Sequence, residues 1–168
     1  QTKKRERMAS IQAAPDEQLF DLVAVDLEHE QLAEAISHSG FSPHEAALIA
    51  WQGVIYYLTD RAIADTLSAI AAISASGSQL MFDFLLPDHQ MAARERRVLS
   101  FAGMFTARLG ERYISFHSAE DIERLLETHG FGVKRMWLDE ELEQEFVVGR
   151  HEGLPVMRGF GIVHAYKK

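Results

Sequence analysis

The chain has 168 residues, of which 47% are hydrophobic, and this suits one domain with a sizeable core while excluding two complete domains. Its 25 acidic and 17 basic residues give a formal net charge of −8, which disfavours nucleic acid and anionic membranes as partners. The absence of cysteine excludes disulfides, thiolate nucleophiles and cysteine-ligated zinc, and it fits the cytoplasmic location that we expect.

The first part of the chain predicts a strand, a helix and a second strand. The apolar run "FDLVAVDL" (20–27) is rich in valine and leucine, which is typical of a buried strand. The following stretch predicts a helix of about ten residues, with Leu32, Ala35 and Ile36 on one face and Gly40 as its C-terminal cap. The run "AALIAW" (46–51) predicts the second strand.

The middle of the chain repeats this alternation. Thr59 and Asp60 begin a segment with apolar residues at helical spacing, and Gly77 lies beyond its end. The run "SQLMFDFLLP" (78–87) predicts a third strand, which Pro87 closes because proline cannot donate to a sheet ladder. Three strands alternating with helices predict an α/β domain with a largely parallel sheet.

Residues 88–109 predict a helix with an apolar and a basic side. We expect the apolar residues to face inward, and these are Met91, Val98, Phe101 and Phe105. The basic cluster of Arg94, Arg96 and Arg97 could line a cleft for an acidic substrate. A second basic cluster, over residues 3–7, lacks interleaved aromatic residues and is interpreted as a solvated helix face.

The C-terminal part predicts one more helix and two strands. Ser118 and Asp121 have the spacing of a capping box, and Gly130 is placed to cap the C-terminal end of that helix. Residues 131–138 and 158–166 predict an antiparallel pair of strands at a sheet edge, with a loop over residues 149–155.

Three polar residues end apolar runs of the sequence, namely Asp26, Gln52 and Asp83. Open parallel sheets bind ligands beyond the carboxyl ends of their strands, so these side chains are candidates for a binding site. The alternative is that each one caps a neighbouring helix or bonds local backbone, and the sequence leaves both readings open.

Other common kinds of site are not predicted. The segment "HEAAL" (44–48) lacks the second histidine of a zinc-binding helix, and the eight histidines share no common face, so we predict no metal site. The glycines of "GFGVKR" (130–135) follow a helix and precede a strand, which is the reverse of a phosphate-binding loop. No nucleophile elbow is present.

Three segments together resemble the leucine carboxyl methyltransferase-like family of S-adenosylmethionine-dependent methyltransferases. They are "FDLVAVDLEHEQLAEAISHSGF", "AWQGVIYYLTDRAIADTLSAIAAISASGSQLMFDF" and "SFHSAEDIERLLETHGF", which follow in the order of the family. The most specific element is residues 52–58, "QGVIYYL", which match a turn of the pattern acidic-Gly-apolar-x-x-Tyr-Leu after the fourth strand of the family. Residues 25–27, "VDL", match the end of the family's third strand.

The resemblance implies a fold, a cofactor and site residues. The fold is a Rossmann-like class I methyltransferase sheet, mostly parallel with an antiparallel edge, and the cofactor is S-adenosylmethionine. Asp26 and the backbone of Leu27 correspond to residues that meet its adenine, and Gln52, followed by Gly53, falls where many relatives have a glutamate near the cofactor. Four residues correspond to segments around the substrate cleft: Tyr57, Tyr113, Phe116 and Arg150.

The front of the family has no counterpart in these residues. The basic stretch "QTKKRERM" resembles the region just after the second strand of the family, so the first strand and its glycine-rich loop are missing. We therefore expect a single partial methyltransferase domain that lacks the first βαβ unit and belongs to a longer chain. By itself it should bind the cofactor poorly, and its exposed sheet edges favour self-association.

The function implied is the methylation of oxygen, with a carboxylate on a small molecule or a peptide as acceptor. A carboxylate is already ionised at neutral pH and needs no general base, whereas a hydroxyl acceptor would require one, for which His117 and Tyr57 are the candidates. Two alternatives remain open at this point. They are a non-catalytic binding module that keeps the sheet, and a dinucleotide-dependent oxidoreductase.

Overall fold

A computed structural model describes residues 2–9, 20–108, 110–149 and 158–168, and structural statements below concern these residues. The helices are α1 (Thr2–Ala9), α2 (Leu32–Ile36), α3 (Asp60–Ile73), α4 (Ala93–Arg108), α5 (Ala119–Thr128) and α6 (Asp139–Phe146). The strands are β1 (Leu48–Trp51), β2 (Gln79–Leu85), β3 (Phe131–Leu138) and β4 (Phe160–Lys167). Single turns of 3-10 helix cover Ile55–Tyr57 and Asp88–Gln90.

The four strands form one mixed sheet in the order β1-β2-β4-β3. Strands β1 and β2 pair in parallel, and β4 lies antiparallel between β2 and β3. Three of the four strands therefore run in the same direction, and only β4 is reversed. The predicted α/β class and the antiparallel pair at one sheet edge are confirmed.

The core forms around β2, whose side chains at Leu80, Phe82 and Phe84 are fully buried. Ile63 and Leu67 of α3 and two residues of α5 join the same hydrophobic cluster, as their helical spacing predicts. Both helices begin at capping side chains. The Thr59 hydroxyl accepts a hydrogen bond from the Ala62 N–H, and Ser118 and Asp121 form the predicted capping box.

The predicted strand over residues 20–27 is wrong. The segment has no regular secondary structure, and none of its residues is buried. Its valines and leucines have the propensity for a strand, but a strand also needs a hydrogen-bonded neighbour. In the described part of the chain the sheet ends at β1, which pairs with β2 alone.

The predicted ten-residue helix is also wrong in its length, since α2 ends at Ile36. Two serine hydroxyls take up the carbonyl groups that a longer helix would use: Ser37 donates to the Glu34 carbonyl and Ser39 to that of Ile36, each at 2.7 Å. Gly40 therefore does not cap the helix, and its N–H donates to the Asp21 carboxylate instead.

The inward face predicted for α4 is wrong at three of its four residues. Met91 is buried, but Val98, Phe101 and Phe105 are 50%, 76% and 63% exposed. The helix instead packs through Leu99, which lies with Met91 against Gly159. Helical periodicity identifies an apolar face, but it does not show whether another element covers that face.

Among the described residues, no helix is long and apolar enough to cross a membrane.

Close packing at Gly161 of β4 provides a test of this core. We expect Gly161→Ala to lower the free energy of unfolding by about 1–3 kcal/mol, because overpacking a filled core forces its neighbours to move. The added Cβ would lie 2.3 Å from the ring of Phe84. Equilibrium denaturation followed by circular dichroism measures this change. Gly40→Ala is the control, since its Cβ would have no neighbour closer than 3.4 Å, and an equal loss in both variants would contradict the packing described.

Candidate functional site

The chain leaves the sheet at Gln52 and Gly53, directly after β1. Trp51 and Ile55 on either side are buried, whereas Gln52 and Gly53 are exposed. Gly53 has φ +72°, a left-handed conformation that favours glycine and turns the chain away from the strand direction. The break in the apolar run is therefore the carboxyl end of β1.

Asp83 of the neighbouring strand β2 holds this turn. Its Oδ1 accepts a hydrogen bond of 2.7 Å from the Gly53 N–H. Burial, together with the charge of the nearby Asp83 carboxylate, raises the pKa of Tyr56. Asp83 thus supports the turn that follows Gln52, and it has a structural partner within the protein.

Three tyrosines pack together beside this turn. The ring centroids of Tyr56 lie 4.8 Å from Tyr57 and 5.3 Å from Tyr113, and those of Tyr57 and Tyr113 are 5.4 Å apart. Burial, and secondarily the neighbouring Tyr113, raises the pKa of Tyr57 to about 12. The Tyr57 phenol is therefore protonated at neutral pH and cannot act there as a general base.

The loop after α4 is fixed against the same turn. The Ile114 N–H donates to the Tyr56 carbonyl at 2.9 Å, and the buried Ser115 hydroxyl donates to the Ile55 carbonyl at 2.9 Å. A cavity of about 540 Å³ opens between the turn and the loop, and we call it the Gly53 cavity. Its lining consists of Gly53, Val54, Tyr57, Gly110, Glu111, Arg112 and Ile114. The volume lies within the range of small-molecule sites.

A second depression, which we call the α4 groove, runs along helix α4 and has a volume of about 1030 Å³. Tyr113 and Phe116 line it, as do Arg96 and Arg97 of the predicted basic cluster. Arg94 of that cluster does not line it. Arg112 lines both the groove and the Gly53 cavity, so the two spaces adjoin at this residue.

Asp26 and Leu27 lie in a turn that reaches the start of α3. The Asp26 carboxylate accepts hydrogen bonds from the His29 ring at 3.1 Å and from the Glu28 N–H at 3.0 Å, and these bonds lower its pKa. The Glu28 carboxylate accepts from the N–H and the hydroxyl of Thr59, at 2.6 and 3.0 Å. This turn is thereby joined to the residue that directly follows the segment 52–58.

The structure thus brings part of the predicted site together. Gly53 and Tyr57 share one cavity, Tyr113 contacts Tyr57, and Phe116 lines the α4 groove together with Tyr113. Gln52 is exposed beside Gly53, and Leu27 is partly buried against the core. Arg150 lies outside the described residues. Asp26 and Leu27 line neither space.

The sequence interpretation missed Glu111 and Arg112, which line the Gly53 cavity. No motif marks them, because their position depends on how the loop after α4 docks on the Ile55–Tyr57 turn through two hydrogen bonds. The only signal in the sequence was Tyr113, the next residue, which the family resemblance had placed near the substrate.

Residues 1–71 match the sequence model of the leucine carboxyl methyltransferase family. This match contains two of the motifs that carry the resemblance, residues 25–27 and 52–58, so the resemblance is confirmed for this part of the chain. No curated protein matches the sequence.

Solved structures share the fold of this chain. OxaC in complex with SAH and oxaline has a TM-score of 0.56 at 12% identity, covering 99% of this chain and 33% of that chain. Magnesium protoporphyrin IX methyltransferase (ChlM) from Synechocystis PCC 6803, with bound SAH, has a TM-score of 0.52 at 12% identity, covering 99% of this chain and 57% of that chain. The chain therefore has a partial class I methyltransferase fold and spans from a third to less than two thirds of these proteins.

A further similar structure is that of a possible exported protein from Bordetella parapertussis. Its TM-score is 0.51 at 18% identity, covering 76% of this chain and 41% of that chain.

The Gly53–Asp83 hydrogen bond can be tested by substitution at Asp83. We expect Asp83→Ala to speed hydrogen exchange at the Gly53 amide and to destabilise the protein by about 1–3 kcal/mol, because the Gly53 N–H loses its acceptor. Asp83→Asn keeps an acceptor oxygen and should retain most of the protection. Amide exchange followed by NMR reads both effects, and equal exchange rates in the wild type and Asp83→Ala would contradict the bond.

The protonation state of Tyr57 can be read directly. The ordinary pKa of tyrosine is 10.0, so a free phenol is half ionised at that pH, whereas Tyr57 should remain protonated. We expect its ¹³Cζ NMR signal, assigned with Tyr57→Phe, to be unchanged between neutral pH and pH 10. The exposed Tyr166, assigned with Tyr166→Phe, is the comparison. A Tyr57 signal shifted halfway towards that of phenolate at pH 10 would contradict the raised pKa.

Proposed function

We propose that this chain is part of an S-adenosylmethionine-dependent methyltransferase that methylates a carboxylate oxygen on a small molecule or a peptide. One observation carries the proposal: the Gly53–Tyr57 segment, on which the family resemblance depends most, lines a cavity at the carboxyl end of β1. Ligands of open α/β sheets bind at such strand ends. The family match over residues 1–71 and the shared methyltransferase fold support the same proposal.

The residues at this edge fit a polar cofactor. Gln52 and Gly53 are exposed, and a Cβ placed on Gly53 would meet only the Tyr56 hydroxyl, at 3.8 Å, so the backbone here is open to a ligand. Asp26 is exposed too, and its lowered pKa keeps it ionised. We assign these three residues and Leu27 to the cofactor, which when bound supplies an electrophilic methyl group on a sulfonium.

The reaction transfers no proton when the acceptor is a carboxylate. With the cofactor bound, its sulfonium would supply the methyl group to a carboxylate oxygen, and the electron pair of the broken C–S bond would stay on sulfur as a neutral thioether. The protein then has to align the two groups and exclude water. The packed rings of Tyr56, Tyr57 and Tyr113 form a rigid wall suited to both tasks.

The side chains considered as bases do not favour a hydroxyl acceptor. Tyr57 has a pKa of about 12 and is a poor base at neutral pH. His117 lines neither the Gly53 cavity nor the α4 groove, and its Nε2 is buried 3.4 Å from the Asp60 carboxylate. An acceptor that is already ionised fits this arrangement best.

The proposal includes a cytoplasmic location and excludes nucleic acid and membranes as partners, which the net charge of −8 supports. It also includes self-association through the outer edge of β1, to which no strand of the described residues is paired.

Calorimetric titration of the complete gene product with S-adenosylmethionine tests the function. We expect binding heat with S-adenosylmethionine and none with a nicotinamide dinucleotide, and Gly53→Val should weaken the binding, because the residue has φ +72° and faces the cavity. Gly77→Val is the matched control, since Gly77 has φ +85° but lines neither space.

Three results would contradict the proposal. Heat with the nicotinamide dinucleotide alone would indicate the oxidoreductase, and no heat with either compound would indicate the binding module. Undiminished cofactor binding by Gly53→Val would remove the Gly53 cavity from the site.

A further inference from the structure

We infer that Arg112 binds the anionic group of the methyl acceptor, and that the acceptor carries an apolar body which lies in the α4 groove. The inference rests on the proposed function in one respect, because it takes the groove as the acceptor site beside the cofactor. The first observation that supports it is the position of Arg112, which lines both the Gly53 cavity and the α4 groove.

The backbone around Arg112 is fixed while its side chain is available. On one side the Glu111 N–H donates to the Thr106 carbonyl at 2.9 Å, and on the other the Ile114 N–H donates to the Tyr56 carbonyl at 2.9 Å. Within the described residues, the exposed Arg112 guanidinium has neither an ion pair nor a hydrogen bond. A cation without a partner among the described residues, held at the junction of two ligand-sized spaces, is placed to receive an anion.

Other arginines of the chain form ion pairs or hydrogen bonds with nearby protein groups. Arg124, Arg135 and Arg158 each pair with a carboxylate of their own neighbourhood. Arg96 donates to the backbone carbonyls of Asp88 and Met91, so its guanidinium is also partly engaged. Arg112 differs from these four in facing the two spaces without such a contact.

The charge of the groove is opposite to that of the whole chain. Its charged lining residues are Arg96, Arg97 and Arg112 against a single carboxylate, Asp88, whereas the chain has a net charge of −8. A guanidinium presents two parallel N–H donors that match the two oxygens of a carboxylate. Charge complementarity therefore selects an acidic ligand at a place where the rest of the protein would repel one.

The remaining lining of the groove is largely apolar and partly open to solvent. Phe101 is 76% exposed, Met104 60% and Phe116 41%. Exposed apolar side chains that are contiguous mark a binding surface more often than plain protein surface. These side chains and the arginines together specify a carboxylate with an aromatic or aliphatic body.

The two spaces also fix the orientation of such a ligand. Tyr113 lines the groove, and its ring contacts that of Tyr57, which lines the Gly53 cavity. A carboxylate bound by Arg112 therefore lies where the groove meets the cavity, and the apolar body extends along α4. This orientation presents the acceptor oxygen on the side of Gly53.

The test uses two probes that share the same apolar group and differ in charge, 3-phenylpropanoate and its uncharged amide, 3-phenylpropanamide. Their affinities for the complete gene product are measured by ligand-observed NMR. We expect the carboxylate to bind at least about tenfold more tightly than the amide, as a charge-assisted pair implies. Arg112→Gln should abolish this preference. Arg112→Lys keeps the charge but not the paired donors, so it should show a reduced preference for the carboxylate. This variant also tests the inference if Arg112→Gln fails to fold.

Arg94→Gln is the matched control, because it removes the same charge from an exposed residue of α4 that lines neither space. It should keep the wild-type preference. Equal binding of the two probes by the wild type, a preference unchanged in Arg112→Gln and Arg112→Lys, or an equal loss in Arg94→Gln would overturn the inference. So would the absence of binding of either probe, which would mean that another part of the gene product covers the groove.

The calorimetric titration with S-adenosylmethionine separates this inference from the proposed function. Cofactor binding without a preference for the carboxylate overturns the role of Arg112 and leaves the proposed function standing. A preference for the carboxylate that depends on Arg112, without cofactor binding, overturns the proposed function and leaves an acidic-ligand groove.

Discussion

The hydrogen bond from the Gly53 N–H to the Asp83 carboxylate joins the turn after β1 to strand β2, and the arrangement of the site depends on it. Parallel pairing places Trp51, the last residue of β1, beside Phe82 of β2. Because Gly53 adopts φ +72°, the chain turns off the sheet and returns to the core at Ile55, which is fully buried. The same carboxylate lies near the Tyr56 hydroxyl, and its charge adds to burial in raising the pKa of Tyr56.

The other residues of the site are held in place by contacts with this turn. Tyr57 and Tyr113 pack on one another, and the loop that carries Tyr113 bonds the carbonyls of Ile55 and Tyr56. Arg112 thereby reaches a place between two spaces, where its guanidinium has no ion pair or hydrogen bond with the described residues. In the chemistry proposed for this geometry, an ionised acceptor is aligned with an electrophilic methyl group. Positioning of the two groups and exclusion of water matter more for this reaction than proton transfer.

Short-range signals predicted much of the fold. The apolar run of β2, the spacing in α3 and the capping box at Ser118 depend on near neighbours in the chain, and all three are confirmed. Features that depend on a distant partner were missed. Residues 20–27 have the composition of a strand without a strand beside them, and the apolar face of α4 has no described element to cover it. The turn at Gly53 was predicted because the resemblance included it, whereas Arg112 depends on loop docking that no local pattern encodes.

The central claim is that the turn after β1 faces the cofactor. Amide chemical shifts of the complete gene product, measured with and without the S-adenosylmethionine analogue sinefungin, test it most directly. The account predicts the largest changes at Gln52, Gly53 and Tyr57 and further changes at Asp26 and Leu27, with smaller effects in the outer strand β3. Shift changes confined to α6 and β3, with Gly53 and Tyr57 unmoved although sinefungin binds, would contradict it.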